Sequence, residues 1–290
     1  MVIHDNLKTF ITVAKNKSFT KTAKELFVSQ PAVSKAIKNL EEELQVKLFQ
    51  RDKRKGLNLT NVGKEILLYA RQMENLENKI YQAIYLENNL LSGQIRVAAL
   101  PIITTMILVP IFKIFKEKYP LVNIELIEGT AFEVREAVLN HHVDFGLSTS
   151  PFQDLETKFL LTDKMCAISS QKLSNEINLY NQAAENLIFC QAGQETAMEI
   201  LHSYNISFDR SFIVKQPETA VKFVEENYGI GIISEFVLSS ISQKSIHKID
   251  ISPKIEIEFG IVATDFSDLS PSASKMVEMI ANQFHQQNKT

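Results

Sequence analysis

Between Ser29 and Lys55 the chain carries two groups of side chains suited to an anionic polymer that displays hydrogen-bonding edges. In the first, Gln30, Pro31, Ser34, Lys35 and Lys38 share one side of a segment. Its other side is apolar, with Val33, Ile37, Leu40 and Leu44 recurring at helical spacing. Short polar and cationic side chains near a helix N-terminus suit the major groove of double-stranded DNA, where Gln, Ser and Lys can meet base edges. Ser29 supplies an N-cap oxygen and stands at the position for a backbone contact. Pro31 is tolerated in the first turn, because its missing N–H would have no intrahelical partner. The second group, Arg51-Asp52-Lys53-Arg54-Lys55-Gly56-Leu57-Asn58-Leu59-Thr60, reads as a basic two-stranded hairpin, a wing. Arg51, Lys53, Arg54 and Lys55 would then face phosphates or the minor groove. Taken alone, each group also fits a solvated, Lys-rich surface.

The flanking pattern shows what must position these residues. Leu7, Phe10, Ile11 and Ala14 predict a helix, with Asp5 as its N-cap. A second helix opens at Ser18 or Thr20 and turns Ala23 and Leu26 inward; the tight Phe27-Val28 turn then completes a helix-turn-helix. Thr60 caps a further helix expected to run from Asn61 to about Leu90. Along it Val62, Ile66, Tyr69, Met73, Leu76, Ile80, Ala83, Glu87 and Leu90 alternate four and three apart, a coiled-coil seam flawed only by Glu87. Ile66, Tyr69, Met73, Leu76, Ile80 and Ala83 are thus candidates for dimerisation, the alternative being a helix packed on its own domain. A dimer would hold two recognition helices a set distance apart, matching two half-sites.

Net charge, −3 over 290 residues, would argue against a nucleic-acid partner if it were evenly spread. It is not: residues 1–64 hold 13 Lys and Arg against 6 Asp and Glu, +7, leaving −10 for the remainder. A composition of 45% hydrophobic and 22% charged residues excludes a disordered or collagen-like chain and suffices for two domains. Residues 1–6 show no secretory pattern, and the apolar run at 100–112, interrupted by Thr104 and Thr105, is too short for a membrane span. No membrane partner is expected, and the location is expected to be cytoplasmic. Cys166 and Cys190 lack metal-ligand spacing and read as core residues, while adjacent His141 and His142 diverge on a helix. Gly-x-Ser-x-Gly, phosphate-loop and His-Glu-x-x-His motifs are all missing, so neither an enzyme, a cofactor nor a metal site is expected.

After Ser92-Gly93, predicted strands at 94–100, 122–128, 144–148, 165–169, 187–191, 212–216, 230–234 and 255–264 alternate with helices at 103–119, 132–141, 195–204 and 218–227. This is an α/β doubly wound pattern. Ser270-Pro271 would cap a final helix burying Ala273, Val277, Ile280 and Phe284. A solute-binding protein or small-molecule enzyme on such a domain would leave the N-terminal third without a role. An adaptor using only the coiled coil would not need the polar face at Gln30–Lys38.

Phe10, Val13, Ser18-Phe19-Thr20, Ala23, Leu26, Ser29-Gln30-Pro31-Ala32-Val33-Ser34, Ile37, Leu40-Glu41, Leu44, Leu48-Phe49, Arg51, Leu59-Thr60 and Gly63 resemble the N-terminal signature of LysR-type transcriptional regulators. Thr22 and Gln45 depart from it, standing where that family often has Ala and Gly. More weakly, Arg96-Val97, Val109-Pro110, Phe115, Tyr119-Pro120, Glu128-Gly129, Val143-Asp144-Phe145-Gly146 and residues 223–231 are similar to the family's effector domain. Asn227 replaces a customary Gly at a helix C-terminus, where Asn tolerates the left-handed conformation; Ser234 replaces a usual Pro.

The resemblance implies a mainly α N-terminal winged helix-turn-helix with a long linker helix. An α/β effector domain would follow, made of two Rossmann-like subdomains like those of type 2 periplasmic solute-binding proteins. Residues 1–60 would bind DNA, 61–91 form the linker and dimerisation helix, and 92–290 regulate. Subdomain I would comprise 92–162 and 265–290, subdomain II 163–264, with crossing strands near 161–164 and 262–265. The implied function is sequence-specific transcriptional regulation of promoter or operator DNA under a small-molecule effector, expected to be a metabolite. Implied partners include a second copy as homodimer, further assembled as a tetramer, with RNA polymerase as an additional candidate. The effector would lie in the cleft between subdomains, at strand carboxyl ends and helix N-termini. That region holds Leu100, Pro101, Ile102, Thr104, Thr130, Ser148, Thr149, Gln191 and Thr196. Leu100-Pro101-Ile102-Ile103 stands where the family often offers Ser or Thr, a departure from its carboxylate-binding pattern. His202 and Arg210 are further cationic candidates, with plain surface positions as the alternative.

Overall fold

The first helix, α1 (Val2–Asn16), buries Leu7, Phe10 and Val13, as the apolar spacing requires. Asp5 is not its N-cap. The helix already runs from Val2, so Asp5 lies in the first turn, where its carboxylate faces the positive end of the helix dipole. This is a computed structural model of the chain; it describes residues 2–52, 56–86, 91–173, 175–179, 186–190, 194–204, 211–241 and 246–287. The chain divides into two compact units, Met1–Ile84 and Tyr85–Thr290.

Local capping sets the rest of the first unit. Ser18 Oγ accepts the Lys21 N–H at 3.2 Å and starts α2 (Phe19–Glu25); Ser29 Oγ accepts the Ala32 N–H at 3.3 Å and starts α3 (Gln30–Leu44). Helix α3 ends on Gln45 in the left-handed region, φ 55°, which supplies the conformational reason for the Gly that the resemblance leads one to expect there. Strands β1 (Phe49–Asp52) and β2 (Gly56–Leu59) pair antiparallel, Phe49 against Leu59 and Asp52 against Gly56. Phe49 packs edge-on against Phe10, with ring centroids 5.4 Å apart. The Thr60 hydroxyl accepts the Gly63 N–H at 2.9 Å and opens α4 (Asn61–Leu86), whose Leu67 and Ala70 join the same core. A Cβ on Gly63 would overlap the Leu48 carbonyl oxygen, so only Gly lets α4 cross the hairpin this closely. Glu87 and Leu90, the last expected seam positions, lie outside the described residues.

The second unit is built on strands β3 (Gly93–Ala99), β4 (Val122–Glu128), β5 (Phe145–Thr149), β6 (Glu156–Ser169), β7 (Glu176–Asn178), β8 (Leu187–Cys190), β9 (Phe212–Val214), β10 (Ile230–Ser234), β11 (His247–Ser252) and β12 (Glu256–Ala263). Their order is β4-β3-β5-β12-β6-β10-β8-β9, with β11 pairing β6 and β7. Within each lobe the pairs β3–β4, β3–β5, β8–β10 and β8–β9 are parallel, whereas β12 runs antiparallel to β5 and β6. Helices α5 (Pro101–Ile103), α6 (Val109–Lys118), α7 (Ala131–Leu139), α8 (Gln194–Ser203), α9 (Pro217–Glu225), α10 (Glu235–Ser239) and α11 (Pro271–Gln287) complete the α/β pattern. Asn227 adopts φ 59°, as its place after α9 predicts.

Three features differ from expectation. The helix foreseen at 103–119 begins at Pro101 and carries a π-helical turn, Thr104–Leu108, before α6. Pro110 has no N–H to offer the carbonyl four residues back, so the hydrogen-bond ladder steps outward there. The strand foreseen at 165–169 is the end of the 14-residue β6, which pairs β12 up to Lys164 and β10 from Met165 onward. Strand β12 already lies against β5 at Phe259, so its change of lobe comes at its start rather than at 262–265. The short β7, β11 and α10 were not foreseen.

Replacing Gln45 by Gly is expected to stabilise the protein by about 0.5–1 kcal/mol, since Gly relieves the left-handed strain but orders more backbone on folding. The denaturation midpoint of the full chain reads this, and an unchanged or lowered midpoint would remove the assigned strain.

Candidate nucleic-acid interface and ligand cleft

On α3 the apolar face goes inward and the polar face outward, since Val33, Ile37 and Leu40 are buried while Gln30, Pro31, Ser34, Lys35 and Lys38 are exposed. Lys38 pairs with Glu42 at 3.3 Å, an exposed i,i+4 contact worth only about 0.3–0.5 kcal/mol and readily exchanged for another anion. The Ser29 hydroxyl is engaged as the cap, which leaves the α3 N-terminus ordered and facing solvent. In the wing, Arg51 lies in β1 opposite Leu57, and Lys53, Arg54 and Lys55 fall outside the described residues.

Glu41 joins the recognition helix to the wing. Its Oε1 accepts the N–H groups of Leu48 (2.9 Å) and Phe49 (3.3 Å), and its Oε2 accepts from Lys47 Nζ at 2.6 Å. Partial burial pushes this carboxyl up, but the bonds from Lys47, Leu48 and Phe49 together outweigh it and hold Glu41 below its ordinary range. Spacing had marked Glu41 only through the family resemblance.

Along α4, Tyr69, Met73, Leu76, Ile80 and Ala83 are exposed, Ile80 at 63%, and Val62 also faces solvent. Ile66 is half-buried and packs on the core of the first unit. The expected seam is therefore an apolar stripe on the surface of this unit, broadened by Tyr81 and Ile84.

In the second unit a cavity of about 270 Å³ lies between the lobes, lined on one side by Leu100, Pro101, Ile102, Glu128, Gly129, Thr130 and Glu133. Cys190, Lys215, Gln216 and Pro217 line the other. Sequence reasoning placed Leu100, Pro101, Ile102 and Thr130 here and missed Glu128, Glu133, Cys190, Lys215, Gln216 and Pro217. Thr130 caps α7 in a reciprocal box: its Oγ accepts the Glu133 N–H at 3.1 Å, and Glu133 accepts the Thr130 N–H at 2.8 Å. That backbone bond lowers the Glu133 pKa; partial desolvation opposes it, and the Thr130 hydroxyl and nearby Lys215 add to the lowering. Leu100 provides no side-chain cap at the other helix end facing the cavity.

Thr104, Ser148 and Thr149 do not line the cavity. Thr104 is buried and turns its hydroxyl back to the Leu100 carbonyl at 3.4 Å. Ser148 and Thr149 are paired with Gly260 and Phe259 inside the sheet, where both side chains are buried. Gln191 and Arg210 fall outside the described residues; Thr196 lies in α8, and His202, also in α8, is exposed. Cys166 and Cys190 are buried thiols that do not form a disulfide, and burial pushes the Cys166 thiol up to about 12, which leaves it protonated and unreactive. No group of three His, Cys, Asp or Glu able to hold a metal occurs among the described residues.

Two charged residues, the part-buried Asp163 and the buried Arg135, tie distant segments together. Asp163 on β6 accepts from the Ser234 hydroxyl and, at 3.0 Å, from the Phe236 N–H. Ser234 in turn caps α10 by accepting from Val237 at 3.1 Å, a role closed to the Pro usual in the resemblance. Arg135 on α7 donates through Nη2 to Glu195 on α8, while its Nε and Nη1 are buried without a partner among the described residues. Each such orphaned group carries a desolvation cost of about 1–3 kcal/mol.

Two family models match the chain: "Bacterial regulatory helix-turn-helix protein, lysR family" over residues 4–64 and "LysR substrate binding domain" over residues 88–285. The chain is 43% identical over 287 residues to YoaU of Bacillus subtilis (strain 168), an uncharacterized HTH-type transcriptional regulator, with 97% of this chain and 98% of that protein covered. It is 30% identical to the HTH-type transcriptional regulator CysL of the same organism, with 81% of each covered. Among solved structures it is similar to a full-length OxyR variant from Pseudomonas aeruginosa, with TM-score 0.73, 19% identity, and 98% of this chain and 94% of that one covered. Full-length CbnR bound to its target DNA is similar with TM-score 0.62 and 19% identity, over 97% of this chain and 99% of that one.

Glu41→Gln is expected to lower stability by about 1–3 kcal/mol, the usual cost of breaking a part-buried charged hydrogen-bond set. Because the folded-state pKa of Glu41 is depressed, its contribution is complete above the ordinary carboxylate pKa of about 4.3 and is lost as pH falls through the folded value. The gap between wild type and E41Q should therefore close in acid, and a gap independent of pH would remove this role.

Proposed function

The chain belongs to the LysR family of bacterial transcriptional regulators, and from that premise we propose how its residues divide the work of DNA binding and effector response. Gln30, Pro31, Ser34, Lys35 and Lys38 read base edges in the major groove. Ser29 and the wing cations Arg51, Lys53, Arg54 and Lys55 bind phosphates or the minor groove and give a salt-dependent affinity. The observation that carries this reading is the outward polar face of α3, held at its start by the Ser29 cap and tied to the wing by Glu41. The charge of +7 over residues 1–64 supports binding to a polyanion.

The exposed stripe of α4 pairs two copies through Tyr69, Met73, Leu76, Ile80 and Ala83, with Ile66 at its edge. Such pairing sets the spacing of the two half-sites. A metabolite held in the 270 Å³ cavity, at or below the small end of ordinary ligand pockets, biases the two lobes and with them the pairing of dimers. Tetramer assembly, a contact with RNA polymerase and a cytoplasmic location complete the proposal. On location, no described helix is long and apolar enough to cross a membrane.

Gln30→Ala and Ser34→Ala should each weaken binding to an operator selected from random fragments by about 1–3 kcal/mol while sparing non-specific DNA. Gel-shift titrations in which operator and random DNA suffer equally would sink the base-reading role. Leu76→Asp or Ile80→Asp should yield monomers and weak operator binding; an unchanged mass by light scattering would overturn the seam.

A further inference from the structure

We propose that Arg135 of one lobe and the N-terminus of α8 in the other form an oxyanion site, filled in the structure by the chain's own Glu195, for which a ligand carboxylate or phosphate competes. The inference rests on the reading that an effector acts between the lobes.

Arg135 is 2% exposed, and its guanidinium carries a positive charge. A buried cation has to be matched by an anion and its donors by acceptors. Glu195 meets the charge but engages Nη2 alone; Nε and Nη1 are buried with no partner among the described residues. Nε and Nη1 do not form a fork with each other, but either can combine with Nη2, once Glu195 leaves it, to hold an oxyanion in the bidentate arrangement that arginine offers carboxylates and phosphates. Glu195 lies in the first turn of the ten-residue α8, whose N-terminal N–H groups favour negative charge and disfavour a bare guanidinium. An oxyanion at this place satisfies both neighbours.

The two partners are unequal in their freedom to leave. The Glu195 side chain is 35% exposed and can turn into water, whereas the Arg135 side chain, at 3%, cannot. Competition would thus release Glu195 and leave Arg135 in place. Because α7 and α8 belong to different lobes, the exchange replaces a direct interlobe tie with one made through the ligand.

The test uses the full-length chain, titrated with inorganic phosphate and separately with succinate against chloride of matched ionic strength, and read by thermal unfolding. Glu195→Gln removes the internal competitor and should tighten oxyanion binding by at least about fivefold over wild type. Arg135→Gln should abolish the response, and the fold-sparing Arg135→Lys should weaken it. The stronger of the two anions names the head group. No gain in E195Q, or a response that survives R135Q, would overturn the site. If the anions follow this pattern but leave operator affinity unchanged in gel shifts, the site stands and the reading of effector control falls.

Discussion

The antiparallel ladder between β6 and β12, from Glu256 against Lys164 to Ala263 against Glu156, is the constraint on which the whole second unit depends. On one side β12 carries β5 and, through it, β3 and β4. On the other, β6 carries β10, β8 and β9. The lobes are therefore joined by two strands that share backbone hydrogen bonds, and they can move only as far as those strands bend and twist. A register shift between Phe259 and Gly260 falls beside the place where β12 changes lobes, and bulges of this kind bend a strand without dissolving its pairing. Gly260 admits the shift, because a Cβ there would crowd Thr157 and Phe152. The cavity is lined from both lobes, so this joint limits how far its two sides can separate.

Charged side chains of limited exposure occupy the joints of both units. Glu41 connects α3 to the wing, Asp163 connects β6 to the start of α10, and Arg135 with Glu195 connects the lobes. In each case the charge gains its partners from a segment remote in sequence, so it stabilises one relative placement and disfavours others. The first two are amply bonded and suit parts that must stay put. Arg135 alone among these three is incompletely satisfied, and it sits at the joint where movement would be useful.

The DNA-reading head was legible because helix periodicity sorts residues by face without help from the rest of the chain. Once Val33, Ile37 and Leu40 are inward, Gln30, Ser34 and Lys38 must be outward, and Ser29 and Thr60 announce the helix starts. Asn227 was legible for a similarly local reason. The cleft was legible only on its first side. Leu100–Ile102 and Thr130 follow long, plainly apolar strands, whereas Lys215–Pro217 follow a three-residue strand at the sheet edge. A hydroxyl at a strand end, as in Ser148 and Thr149, reads the same whether it faces a cleft or the sheet interior. Nothing local marks Arg135, since its partner lies 60 residues away and only the topology joins them.

The division of charge gains its meaning from the same geometry. A head of +7 is drawn to DNA in any orientation, so attraction alone cannot select a register. Selection needs a stiff presentation of the α3 face and a second copy at a fixed distance. Glu41 and the Gly63 crossing supply the first, and the apolar stripe along the 26-residue α4 suits the second. The remaining chain, at −10, is repelled by a phosphate backbone, so the net charge that favours a polyanion lies within residues 1–64. On the proposed reading, affinity and specificity are separable: the first follows from composition over 64 residues, the second from a few capped helix ends and one close crossing.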